Sequence, residues 1–94
     1  MRTTALVIAM LVLTVWTSPA VALMETDKEL VNMAQISLVK AVEIALQKVP
    51  GKAYEAEIEK EDGRPAYEVK IIDTKNEKRT VHVDARTGDV MKAK

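Results

Sequence analysis

The chain contains no cysteine, so disulfides, thiol nucleophiles and thiolate metal sites are all excluded. It has one histidine, His82, which rules out a His-Glu-x-x-His zinc helix. Its three glycines stand apart at expected turns, so no glycine loop is present to cradle a phosphate. An excess of charge of one sign is missing as well. Fourteen Lys and Arg balance fourteen Asp and Glu, leaving nucleic-acid binding without electrostatic support.

A long apolar run is also absent. The stretch from Ala5 to Trp16 holds about twelve residues, short of the roughly 20 that span hydrocarbon as a helix. With Arg2 before it and Ala20-Val21-Ala22 after Thr17-Ser18-Pro19, residues 1–22 read as a secretory signal peptide cleaved after Ala22; a retained anchor is the competing reading. The expected location is periplasmic or secreted, with membrane contact only through the segment before cleavage. About seventy residues then remain for one small domain, near the size at which a single core holds a fold unaided.

Residues 23–35 show weak helical spacing at Leu30, Val31 and Ala34, with Asp27 as an N-cap candidate, and read as an N-terminal tether. A clear helix follows. Leu38, Ala41, Val42, Ala45, Leu46 and Val49 recur at helical spacing and form one apolar stripe. Ser37 can cap it, Ile36 can staple onto Ala41, and Pro50-Gly51 stops it. Ile44 falls among Lys40 and Lys48 and reads as an exposed apolar spot, with a flanking contact as the alternative.

Beyond Gly51 the period becomes two. Tyr54, Ala56 and Ile58, then Tyr67, Val69 and Ile71, then Val81 and Val83 each define one dry face. Asp62-Gly63 is a two-residue hairpin signal. That register sets Ile58 opposite Tyr67, Ala56 opposite Val69 and Tyr54 opposite Ile71, with all six on one side. A three-residue loop with Asn76 left-handed then aligns Val69 with Val81 and Tyr67 with Val83. Asp84 and Gly88 turn the last corner so that Val90 meets Val83. The expected fold is α+β, one amphipathic helix packed on a three- to four-stranded antiparallel sheet over residues 36–94. Tyr67 and Leu46 would sit at its centre.

On the opposite, charged face the same register lines up Glu57, Glu68, His82 and Met91. Glu57, Glu68 and His82 are the candidate metal ligands, set against the reading of a solvated sheet face with a weak Glu68–His82 pair. No catalytic residue or cofactor site is expected: Thr80 shares a face with His82, but a flat sheet provides no oxyanion site. Glu55, Glu57 and Glu59 on the first strand are the candidate partner-binding residues, or else gatekeepers against edge aggregation.

Ile36-Ser37-Leu38, Ala41, Ala45-Leu46, Val49-Pro50-Gly51, Tyr67-Glu68-Val69 and Asp84-Ala85-x-Thr87-Gly88-x-Val90, in this order and spacing, resemble the PepSY domain. That domain is also found in the propeptides of thermolysin-like metallopeptidases. The likeness covers about residues 35–93 and departs from the family pattern at Lys40, where an acidic residue is common, and at Asn76, where glycine is common. It implies an exported, non-enzymatic binding module that inhibits or restrains a peptidase of the cell envelope, here in trans. A ligand- or cation-responsive periplasmic accessory protein is the alternative.

Overall fold

The computed structural model describes residues 27–94, and the expected signal peptide and the first tether residues lie outside them. Within the tether segment, residues 27–33 form a helix, α1, in which Leu30 is buried. Helix α2 spans Leu38–Lys48. Four strands follow: β1 (Gly51–Glu61), β2 (Arg64–Asp73), β3 (Lys78–Asp84) and β4 (Val90–Ala93). They form one antiparallel sheet in sequence order, with α2 across one face. The architecture is the expected α+β layer pair.

Helix α2 begins where the Ser37 side chain accepts a hydrogen bond from the Lys40 N–H at 3.0 Å. Ala41 and Ala45 are wholly buried, and their small side chains let the helix lie close to the sheet. Lys48 in the last turn complements the negative end of the helix. The stripe is buried less evenly than its spacing suggests. Leu38, at the helix start, is 42% exposed, and Leu46 is only partly buried, so the centre of the layer belongs to Val69, Ile71, Val81 and Val83. Ile44 is not exposed. It packs against the core above the last corner, where a Cβ on Gly88 would come within 3.3 Å of its Cδ1.

The first hairpin turns as its residues require. Asp62 and Gly63 have φ of 51° and 77°, the two left-handed positions of a type I′ turn, and Glu61 pairs with Arg64. Ile58 then meets Tyr67 and Ala56 meets Val69. The expected Tyr54–Ile71 pair does not form. A bulge between Ala53 and Glu55 takes Tyr54 out of the ladder, leaves it 51% exposed, and makes the smaller Ala53 the partner of Ile71. Strict alternation in the sequence gives no sign of such an inserted residue.

The second loop closes through the Asp73 N–H, which donates to the Glu77 carbonyl at 2.9 Å, with Asn76 at φ 65°. The Asp73 carboxylate accepts from the N–H groups of Lys75 and Glu77 and from Arg79. These donors, the Glu77 N–H foremost, hold its carboxyl below the usual aspartate range. At the last corner Asp84 accepts from the N–H groups of Arg86 and Thr87 at 2.8 and 3.2 Å, and Val83 pairs with Val90. A second bulge, between His82 and Val83, shifts His82 opposite Lys92 rather than Met91. The lead-in to α2 is tied down from both sides. Gln35 and Ile36 donate to the Ala85 carbonyl, and the Tyr67 hydroxyl donates to the Ile36 carbonyl at 2.9 Å.

Candidate functional site

His82 projects from β3 on the charged face of the sheet, yet it is 8% exposed. An imidazole this well covered on the face away from the helix needs neighbours that stand up around it. Three carboxylates provide them. Nδ1 lies 2.7 Å from Glu61 Oε1 and 3.2 Å from Glu59 Oε2, while Nε2 lies 3.7 Å from Glu68 Oε2. Glu68 is the direct cross-strand partner of His82. Glu59 and Glu61 come from β1, two strands away, over Ala66 of β2. Ala66 pairs with Glu59 on one side and Asp84 on the other and is fully buried, so a methyl group forms the floor beneath these longer side chains.

The charged face is not flat. Glu61 Oε2 on β1 reaches Lys92 Nζ on β4 at 2.9 Å, although these strands lie at opposite edges of the sheet. Three strand spacings of about 4.8 Å would set the two backbones roughly 14 Å apart in a planar sheet. Twist brings this end of the two edge strands near enough for their long side chains to bridge over His82. A polar groove of about 360 Å³ opens beside the bridge, lined by Glu61, Arg64, Asp84, Asp89, Met91 and Lys92 among others. Asp84 is paired there with Arg64 at 3.3 Å.

The carboxylates of β1 differ in electrostatic character. Burial pushes the Glu59 carboxyl up, the Glu68 charge adds to this, and His82 opposes it. Glu61 is held down, first by its hydrogen bond from Lys92, and Lys92 is raised by the same contact. Glu61 Oε1 and His82 Nδ1 are both shut off from solvent, and neither has an aligned hydrogen bond. Their 2.7 Å separation is short, but it is a contact of proximity rather than a well-directed bond.

Of the residues singled out from the sequence, Glu68 and His82 meet as expected. Glu57 stands opposite Glu68 but remains exposed, and the carboxylates within ion-pairing distance of His82 are Glu59, Glu61 and Glu68. Glu55 pairs with Lys70 at 3.5 Å. Glu59 therefore belongs to the histidine cluster as well as to the outer row of β1. The sequence carried one usable sign of this. Glu59 and Glu61 lie on the same strand face as Glu57, and only the small Ala66 separates that end of β1 from β3. The neighbours of His82 are carboxylates and not a hydroxyl, so the arrangement offers charge and metal-type donors rather than a nucleophile–base pair.

A second feature lies on the helix side. Val31, Ala34, Ile36, Leu38, Ala56 and Ile58 line much of an apolar groove of about 540 Å³ along β1, an edge strand. Among the described residues no helix is long and apolar enough to cross a membrane.

A family model described as "Peptidase propeptide and YPEB domain" matches residues 35–94. The solved structure of the YpmB protein from Bacillus subtilis is similar, with a TM-score of 0.60 and 25% sequence identity over 66% of this chain and 48% of that one. The chain thus spans about half the length of YpmB. No curated protein matches in sequence.

Proposed function

Because the chain belongs to the PepSY family, we propose that it is a non-catalytic binding module, exported from the cytoplasm, that restrains a peptidase of the cell envelope or the secreted pool. The family match over residues 35–94 carries this reading, since the family's own description couples the domain to peptidase propeptides.

The geometry supports it in two ways. Strand β1 is eleven residues long and lies at the sheet edge, so its outer N–H and C=O groups are available to a partner that reads extended backbone, as a peptidase cleft does. The apolar groove beside β1 adds pockets for side chains, the usual source of specificity in strand addition. Of the three charges first assigned to a partner, Glu57 is the one exposed and without an ion pair among the described residues. It is the charge on β1 best placed to meet a basic partner.

The test is direct. The purified chain is added in increasing amounts to the secreted and envelope fractions of the source cells and to a thermolysin-like metallopeptidase, and peptide hydrolysis is followed. Hydrolysis should fall in proportion to added chain and level off near equimolar ratio. Undiminished hydrolysis in every fraction refutes the reading.

A further inference from the structure

We propose that Glu59, Glu68 and His82 form a binding site for a divalent transition-metal ion of the zinc type, independent of any peptidase contact. One ligand atom from each residue, a carboxylate oxygen or a ring nitrogen, falls within 4.8 Å of the other two. In tetrahedral coordination with bonds of roughly 2.0–2.2 Å, neighbouring donors lie about 3.3–3.6 Å apart. One ring nitrogen takes the ion: Nδ1 of His82 is already 3.2 Å from Glu59 Oε2, while Glu68 Oε2, 3.7 Å from Nε2, must swing to the Nδ1 side. Side-chain rotations complete the set.

His82 itself points to a ligand. It is more than nine-tenths buried, and its Nδ1 has no aligned hydrogen bond although solvent cannot reach it. A buried polar nitrogen is rarely left without a well-directed partner. Formal charge agrees with a cation. Three carboxylates surround the ring and Lys92 neutralises one of them, which leaves two negative charges, the charge of a divalent ion. Glu61, held by Lys92 and with Oε1 2.7 Å from Nδ1, is placed to supply a further carboxylate oxygen to the same ion.

The donor set chooses among metals. One imidazole with two or three carboxylates suits zinc and its neighbours, whereas calcium seeks six to eight oxygens and magnesium an octahedral oxygen shell.

Isothermal titration of the purified full chain with zinc chloride tests the site, with cobalt(II) absorbance and the His82 ring resonances as structural readouts. One zinc per chain should bind with a dissociation constant on the order of micromolar or tighter. Glu59→Gln and Glu68→Gln should each weaken it by about tenfold or more. Glu57→Gln removes the same charge from the same strand face outside the cluster and should leave affinity unchanged. Far-UV circular dichroism of each metal-free variant establishes that it is folded, and if His82→Asn fails to fold the two glutamine variants carry the test. Absence of saturable binding below about a millimolar, or a Glu57→Gln loss equal to that of Glu59→Gln, overturns the proposal. Equal losses would mark a diffuse acidic surface instead of a site.

Discussion

Of the three glycines, Gly51 is the one at which an added methyl meets the most severe overlap. Gly51 opens β1 with φ at 155°, and a Cβ placed there would lie 2.1 Å from the Ile72 carbonyl oxygen and 2.8 Å from the Asp73 Cα. Both are backbone atoms of the neighbouring strand, so no rotamer change relieves the overlap. Relief requires moving β1 away from β2 by an ångström or more, which breaks the Gly51–Asp73 end of the ladder. Backbone strain at this φ costs about 1–3 kcal/mol. Adding the displaced pairing gives a total near 3–5 kcal/mol, the upper range for a single substitution. A domain of this length holds roughly 3–10 kcal/mol in all. At about 4–8 °C per kcal/mol, the thermal midpoint should fall by at least roughly 12 °C, or the domain should not fold. Melting followed by far-UV circular dichroism measures this, with Gly63→Ala as the comparison. Nothing lies within 4 Å of a Cβ at Gly63, so only its left-handed φ is penalised, at about 1 kcal/mol. If Gly51→Ala melts within a few degrees of the parent, or no lower than Gly63→Ala, the close-approach argument fails.

Two further outcomes follow from the site and the bulge. Tyr54→Ala should cost less than about 0.5 kcal/mol, because Tyr54 sits outside the ladder and is half exposed, whereas Ile71→Ala should cost about 2–5 kcal/mol; urea denaturation of both variants compares them, and equal losses would return Tyr54 to the dry face. Glu61→Gln should lower stability at pH 7 by about 1 kcal/mol, a value reduced for solvent screening. Its folded carboxyl lies below the 4.5 of an unfolded glutamate, so its contribution is present above pH 4.5 and disappears as pH falls through the folded value. Denaturation at pH 7 and pH 3 should therefore show the deficit shrinking in acid, and a deficit unchanged between the two would contradict the Glu61–Lys92 assignment.

Much of the fold is legible residue by residue. Helix α2 follows from the spacing of Ala41, Ala45 and Val49 behind the Ser37 cap, and the first hairpin from Asp62-Gly63, because caps and tight turns depend on a few adjacent backbone angles. Once that turn is set, strand periodicity assigns every later side chain to a face, which is why Tyr67–Val83 and Glu68–His82 pair as expected. The family resemblance rested on these same positions and is matched over residues 35–94.

What periodicity cannot carry is where the ladder skips a residue and how far the sheet curls. The bulges at Tyr54 and after His82 depend on packing between strands, not on either strand's own pattern. The cluster is of the same kind. A flat reading of the register joins Glu57 to Glu68 and His82, but twist accumulated over four strands carries Glu59 and Glu61 over Ala66 to His82 and brings Lys92 across from the far edge. By itself the sequence determined which side chains share the charged face. Tertiary structure alone decided which of them touch, because side-chain contact across strands depends on the summed rotation of the sheet, and no local stretch of residues encodes that sum.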